Sequence, residues 1–222
     1  GVPALELLIA RVSRARYIDE IVVATTVNDT DNPIVELCAR LGVRCWRGSE
    51  DDVLQRVLDA AQSSRADLIC ELMGDSPFID PLLIDHTITS HLSGSYDYTS
   101  NFFPVNTFPL GFAVQVFPVD VLERVEHLTR DPVDRAHVSC FIYHNPRLFR
   151  LNGVAANAEN FGPDIRVALD TQSDYELMTK VFDALSPGNP EFRARDVVAY
   201  LRENPGLLMV NRHIRPKAIE EG

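Results

Sequence analysis

The chain has 222 residues, of which 45% are hydrophobic and 24% charged, so it is long enough to bury a sizeable core without disulfide or metal staples. Its formal net charge of −11 argues against a general nucleic-acid binder, and no apolar stretch is long enough to span a membrane, so we expect neither nucleic acid nor a membrane as a partner. Four scattered cysteines without metal-ligand spacing, together with the lack of a visible signal peptide, favour thiols in a reducing cytoplasm and hence a cytoplasmic location.

The first half of the chain alternates helical and strand-like segments. Apolar residues at helical spacing predict a helix over 3–16, and the apolar run that ends at Thr26 predicts a short buried strand over 19–26. The following predicted elements are a helix over 31–41, a strand over 43–46, a helix over 51–63, a strand over 68–73 and a helix over 81–92. Alternation at this pace predicts βαβ units and an α/β fold with a mostly parallel sheet.

The second half is less regular. Strands are predicted over 96–101 and 112–117, joined by a proline-containing loop, and then over 148–154 and 165–169. Helices are predicted over 118–128, 134–144, 171–185 and 194–203. We therefore divide the chain into one domain over 1–204 and a C-terminal tail over 205–222.

Asp75 is the first candidate for chemistry. It follows an apolar strand and Gly74, and the chain then turns through Pro77 and Pro81 into a helix. In open α/β sheets, ligands bind at the carboxyl ends of the strands. A single carboxylate there suits Mg²⁺, which takes one or two protein carboxylates and otherwise binds water and substrate phosphates.

Asp170 is the matching carboxylate. It also follows an apolar strand and precedes a helix, so two aspartates at one edge of a sheet would share a metal ion. A purely structural role remains an alternative, because an acidic residue at a helix entrance is favoured by the helix dipole. Asp174, three residues after Thr171, resembles a capping arrangement.

Two further clusters contain candidate binding residues. Ser49 and Asp51 follow a strand and precede a helix, where they either line a nucleobase site or simply cap the helix, with Ser49 as the N-cap. Arg135 and His137 lie in a compact charged segment and are candidate contacts of an anionic acceptor, although a lone histidine is usually structural.

Five segments together resemble one known family. They are Ile18–Thr26, Gly48–Leu54, Gly74–Pro81, Asp134–Val138 and Leu169–Thr171, in that order along the chain. In this combination they are similar to the SpsF-type cytidylyltransferases (spore coat polysaccharide biosynthesis protein F), relatives of the enzymes that activate sialic acid and Kdo as CMP-sugars. The similarity covers nearly the whole chain.

The resemblance implies a Rossmann-like nucleotidyltransferase fold with helices on both faces of the sheet, CTP as donor, Mg²⁺ as cofactor and a homodimer. It implies that Asp75 and Asp170 hold the magnesium ion and that Ser49, Asp51 and Gly74 line the nucleotide site. The expected reaction is transfer of CMP to an anionic sugar acid or phosphorylated small molecule in surface-polysaccharide or glycan precursor biosynthesis.

The sequence departs from the family pattern at three places. The family begins with a strand and a Gly/Arg/Lys-bearing loop that wraps the triphosphate, whereas this sequence starts with what looks like the segment just after that loop. Either the sequence given lacks these elements through truncation or disorder, or the protein has lost its triphosphate clamp. We expect the former, because a parallel sheet without its central strand would leave backbone groups unpaired. Ala113 and Gln115 stand where relatives commonly have acids, which puts acceptor choice or part of the metal shell in question. Arg166 lies in an Ile-Arg-Val segment that replaces a common Arg-Trp pairing, and it is a further candidate acceptor contact.

Two other functions remain open. A glycosyltransferase of related architecture would use a nucleotide-sugar, but such enzymes typically need an Asp-x-Asp pair, which Asp75-Ser76-Pro77 lacks. A non-catalytic nucleotide-binding module is the other alternative, suggested by the missing loop.

Overall fold

Helices and short strands follow one another along the chain largely as predicted. The computed structural model describes residues 1–215. Its helices are α1 (Ala4–Val12), α2 (Asn32–Leu41), α3 (Val53–Ser64), α4 (Pro81–Leu92), α5 (Val119–Leu128), α6 (Pro132–Ala136), α7 (Cys140–His144), α8 (Gln172–Leu185) and α9 (Ala194–Glu203). Its strands are β1 (Val22–Thr26), β2 (Arg44–Gly48), β3 (Leu68–Glu71), β4 (Tyr98–Ser100), β5 (Gln115–Pro118) and β6 (Leu151–Gly153).

The strands form two hydrogen-bonded groups within residues 1–215. β1 pairs with β2 in parallel, and the second group has the order β3-β5-β4-β6. β4 and β6 are parallel, whereas β5 lies antiparallel to both β3 and β4. The prediction of a mostly parallel sheet therefore holds for β1–β2 and β4–β6 but is wrong around β5. The reason is the connection from β4 to β5, which contains no helix and so does not form the crossover that parallel strands need.

Helices cover both faces of the sheet, as predicted. One apolar cluster brings α1, α4, α8 and α9 together on one side, with Ile84, Val181 and Val197 fully buried. The other cluster contains α3, α5 and α7, with Leu54, Leu122 and Ile142 among its members. The α/β class and the layered architecture are thus confirmed. No helix within residues 1–215 is both long and apolar enough to cross a membrane.

Two predicted elements have a different structure. The helix predicted over 134–144 is two short helices, α6 and α7, because Val138 between them has a positive φ of 44° that a continuous helix does not allow. The strand predicted over 165–169 is an extended segment with a single parallel bridge, from Leu110 to Arg166. It stays outside the sheet because its backbone hydrogen bonds go to Leu110 at one end and to Asp75 at the other.

The segment after α9 packs against the domain. A 3-10 helix covers Pro205–Met209, and Leu207, Leu208 and Val210 lie against the first apolar cluster. The packed region therefore continues past the predicted boundary at residue 204. The remainder of the predicted tail, residues 216–222, lies outside the described residues.

Candidate active site

Asp75 lies in the turn that leads from β3 to α4. The hydroxyl group of the buried Ser76 donates a hydrogen bond to Asp75 Oδ1 at 2.8 Å. The following turn is fixed by Asp80, whose carboxylate accepts hydrogen bonds from the backbone N–H groups of Leu82, in the first turn of α4, and of Ala194, at the start of α9. The Asp75 carboxylate is thus held on a rigid turn at the end of a buried strand.

Asp170 is brought to the same place by a backbone hydrogen bond. The N–H group of Leu169 donates to the carbonyl oxygen of Asp75 at 2.8 Å. Asp170 is the residue after Leu169 and therefore lies beside the Asp75 turn. Burial raises the pKa of Asp75, and the negative charge of Asp170 raises it further, although the Ser76 hydroxyl group opposes the shift. Like charges held this close are what a divalent cation neutralises.

The two aspartates form the candidate metal site. Within residues 1–215 no group of three or more His, Cys, Asp or Glu side chains is arranged to hold a metal ion. A pair of carboxylates nevertheless suits Mg²⁺, because this ion normally keeps several waters and binds substrate phosphates in its remaining positions. Asp170 is exposed, with 51% of its side chain accessible, so it is open to an incoming ligand.

Arg166 lies behind Asp170 and is anchored within the protein. Its guanidinium group pairs with the carboxylate of Asp170 and, through Nε at 2.9 Å, with Asp174. Asp174 is fully buried, and it also accepts hydrogen bonds from Thr171 Oγ1 at 2.9 Å and Asn211 Nδ2 at 2.8 Å. Burial alone would raise the pKa of Asp174, but these hydrogen bonds outweigh it and lower the pKa to about 2. The capping arrangement predicted for Thr171 and Asp174 is confirmed.

The loop between β2 and α3 has a different cap from the one suggested by the sequence. Asp52, not Ser49, is the N-cap of α3, and its Oδ1 accepts a hydrogen bond from Gln55 N at 3.0 Å. The Ser49 hydroxyl group instead accepts a hydrogen bond from Asp52 N at 3.1 Å. Ser49 and Asp51 are exposed, so both remain accessible to a ligand.

Arg56 is a residue of this region that sequence reasoning missed. Its Nη1 atom donates to the carbonyl oxygen of Ser49 at 2.6 Å, while its Nε atom is buried without a hydrogen-bond partner among the described residues. A Cβ atom at Gly48 would lie 2.9 Å from Arg56 Cγ, so the glycine makes room for this side chain. Gly48, directly before the loop, is the sequence signal that could have pointed to Arg56.

Arg135 and His137 lie at the end of α6 and just beyond it. Arg135 makes an ion pair with Asp52, with Nε to Oδ2 at 2.9 Å, and its Nη1 lies 3.5 Å from Glu126 Oε1. The hydrogen bond to Asp52 raises the pKa of Arg135. Arg135 therefore ties α6 to the start of α3, and its predicted contact with an acceptor stays a prediction. His137 lines the cavity described next.

A cavity of about 500 Å³ separates β1 from β3. Its walls are mostly apolar side chains of α1, β1, α3 and β3, such as Leu8, Val23, Val57 and Ile69. Its polar lining includes Arg56, Glu71, Gln115, His137 and Ser139, and Gly74 also lines it. The cavity thus connects the turn that carries Asp75 with the segment that carries His137.

Several known proteins are similar to this chain in sequence. The family model described as cytidylyltransferase matches residues 1–189. An uncharacterized protein of Methanocaldococcus jannaschii is 34% identical over 98% of this chain and 87% of its own length. The spore coat polysaccharide biosynthesis protein SpsF of Bacillus subtilis is 29% identical over 90% of this chain and 84% of its own.

A solved structure has a similar fold over nearly the whole length. The structure of a cytidylyltransferase from Leptospira borgpetersenii serovar Hardjo-bovis superposes with a TM-score of 0.86 and 26% sequence identity. The match covers 98% of this chain and 89% of that one. The α/β layers described above therefore form a fold that a cytidylyltransferase also has.

Proposed function

The chain belongs to the cytidylyltransferase family and is a nucleotidyltransferase, and from this premise we propose that it transfers CMP from CTP to an anionic sugar acid or phosphorylated small molecule, with Mg²⁺ as cofactor. Pyrophosphate is the second product, and the acceptor serves as a precursor of a surface polysaccharide or glycan. The observation that supports the proposal is the hydrogen bond from Leu169 N to Asp75 O, which brings the segment that carries Asp170 beside the turn that carries Asp75.

Asp75 and Asp170 are the residues that would hold the magnesium ion. When bound, the ion neutralises charge that develops on the phosphate oxygens and fixes the geometry of the reacting groups. The protein orients both carboxylates beforehand. Ser76 fixes Asp75 through its hydroxyl group, and Arg166 fixes Asp170 through its guanidinium group.

The other site residues have binding roles in this proposal. Ser49, Asp51 and Gly74 line the nucleotide site, and Arg135, His137 and Arg166 face the acceptor side. The acceptor oxygen attacks the α-phosphate in line, and the protein contributes no covalent intermediate. Arg135 and Arg166 already have carboxylate partners, so we expect them to act by keeping these elements in place or to exchange partners when the acceptor binds.

We also propose that one more parallel strand belongs between β1 and β3. Within the described residues, β1 pairs only with β2 and β3 pairs only with β5, so both present an unpaired edge to the cavity. Unpaired backbone groups inside a sheet are costly, and the apolar lining suits a buried strand. The strand and loop that the family resemblance implies would pair with these two edges and bring the loop to the turn where Asp75 lies.

Two further expectations come from the family resemblance and the cysteines. We propose that the protein acts as a homodimer. We also propose a cytoplasmic location, supported by cysteine thiols that form no disulfide among the described residues.

Thermal unfolding with each of the four ribonucleoside triphosphates tests donor choice. A ligand that binds only the folded state adds about 2.7 kcal/mol of stability at a hundredfold excess over its Kd. We expect a Mg²⁺-dependent rise in Tm with CTP and none with ATP, GTP or UTP. Equal shifts with all four, or none, would count against a CTP-dependent enzyme.

The variant Asp75→Asn tests the two-carboxylate site. Loss of one carboxylate removes a metal ligand, so we expect pyrophosphate release to fall by roughly 100-fold or more. Its Tm should not fall, because the substitution removes a partly buried charge that Asp170 repels. Asp183→Asn, an exposed acid on α8, is the control. Unchanged turnover in Asp75→Asn would exclude the proposed metal site.

A further inference from the structure

One carboxylate oxygen of Glu71, Oε2, is buried without a hydrogen-bond partner among the described residues. Glu71 is the last residue of β3, and it lines the cavity between β1 and β3. Burying such a group without a partner costs folding free energy, and burial raises the pKa of Glu71 to about 8. An unsatisfied polar group in a cavity is what a ligand-binding residue presents before its ligand arrives.

The hydroxyl groups of Tyr98 and Ser139 already donate hydrogen bonds to another residue, Gln115. Gln115 lies directly opposite Glu71 in the β3–β5 ladder. Its Oε1 atom accepts hydrogen bonds from Tyr98 OH and from Ser139 Oγ, both at 2.6 Å. Because these two donors occupy the amide oxygen, they are not available to Glu71. The NH₂ group of Gln115 is the part that can donate to a ligand.

The backbone of the additional strand proposed above would not take the place of that ligand. Side chains alternate between the two faces of a sheet, so Glu71 projects to the same face as Ile69. Ile69 packs in the apolar cluster formed with α3, α5 and α7. The backbone N–H groups of an inserted strand lie in the plane of the sheet and point to β1 and β3, not to this face.

We propose that Glu71 and Gln115 form a subsite for the hydroxyl groups of a polyhydroxylated acceptor, with Glu71 accepting a hydrogen bond from one sugar hydroxyl. This inference rests on the proposed function. A sugar hydroxyl group both donates and accepts, so adjacent hydroxyls match an acceptor at Glu71 and a donor at Gln115.

The test compares Glu71→Leu, Glu71→Gln and the control Glu20→Gln. Glu20 lines the same cavity but is partly exposed and pairs with Arg44 at 2.8 Å. Kdo and N-acetylneuraminate are the probes. Saturation-transfer NMR measures their contact with the protein, and pyrophosphate release gives KM for the sugar acid and for CTP.

We expect Glu71→Leu to weaken binding of the sugar acid at least tenfold while the KM for CTP is unchanged. Glu71→Gln should stay within about threefold of the wild type, because its amide oxygen still accepts a hydrogen bond. The Tm of ligand-free Glu71→Leu should equal or exceed that of the wild type, since a purely structural carboxyl group would instead lower it when lost.

Three results would overturn the subsite. They are unchanged sugar binding in Glu71→Leu, equal damage by Glu71→Gln and Glu71→Leu, and no saturation transfer from either sugar to the wild type. The Mg²⁺-dependent Tm shift with CTP is measured on every variant. If that shift persists, the proposed transferase function stands even where the subsite fails.

Discussion

At the scale of single residues, the candidate site combines carboxylates that the protein fixes with one that it leaves unsatisfied. Asp174 is fully buried and held by Arg166, Thr171 and Asn211. Glu71 is its opposite, because its Oε2 atom has no partner within the described residues. Removing one partner of a buried ion pair costs roughly 3–5 kcal/mol, because it leaves the other charge buried and unpaired.

The pH dependence of the free energy of unfolding tests whether Glu71 is buried without a partner. Burial raises the pKa of Glu71 to about 8 in the folded protein, whereas the unfolded chain releases this proton near the ordinary glutamate pKa of 4.5. The native state therefore binds more protons in this window, and its free energy of unfolding falls as the pH rises. Glu71→Gln carries no titratable group, so we expect its stability relative to the wild type to increase from pH 5 to pH 8.

Denaturant unfolding of both proteins at pH 5, 6.5 and 8 measures this difference. A stability difference that stays constant over the three pH values would mean that Glu71 titrates normally and is hydrated.

At the scale of elements, the extended segment 165–169 positions Asp170. Its backbone bonds to Leu110 on one side and to Asp75 on the other, so two contacts outside any sheet fix its path. The approach to Leu110 depends on Gly111, whose φ is 108°. A Cβ atom there would lie 2.5 Å from the carbonyl oxygen of Val167. Only glycine allows the two chains to come this close.

Gly111→Ala tests whether this contact sets the position of Asp170. Backbone strain of this kind costs about 1–3 kcal/mol, so we expect a corresponding loss of stability. Turnover should fall further than stability explains, because the segment that carries Asp170 must move. Gly188→Ala is the matched control, since no atom lies within 4 Å of a Cβ atom at that position. Equal Tm and pyrophosphate release in the two variants would contradict this role.

At the scale of the whole molecule, the cavity between β1 and β3 interrupts an otherwise layered α/β structure. Helices from both sides reach it, as Leu8 of α1 and Val57 of α3 show. The cavity has a volume of about 500 Å³, is partly open to solvent and has mostly apolar walls, which a packed domain normally covers. An additional strand would pair with the facing edges of β1 and β3 and make both interior strands.

Hydrogen exchange tests the additional strand and is measured on the protein isolated from its natural source. If the strand is present, we expect the amides of β1 and β3 to be protected as strongly as those of β5, which has a neighbour on both sides. β2 has only β1 as a neighbour among the described strands and serves as the edge-strand reference. Exchange in β1 as fast as in β2 would mean that the cavity stays open.

The sequence alone was sufficient for features that depend on local pattern. Apolar periodicity predicted α9 over 194–203 to the residue, because helix formation depends on neighbouring residues. The acids that follow apolar runs pointed to Asp75 and Asp170 as metal ligands, and that assignment stays a prediction. Tertiary structure decided the antiparallel placement of β5, the path of 165–169 outside the sheet and the partners of Arg166 and Arg135. Arg135 and Asp52 show why, since they are far apart in the chain and their spacing leaves no periodic signal. Arg166 and its partners are close in sequence, but their pairing depends on the path of the segment 165–169.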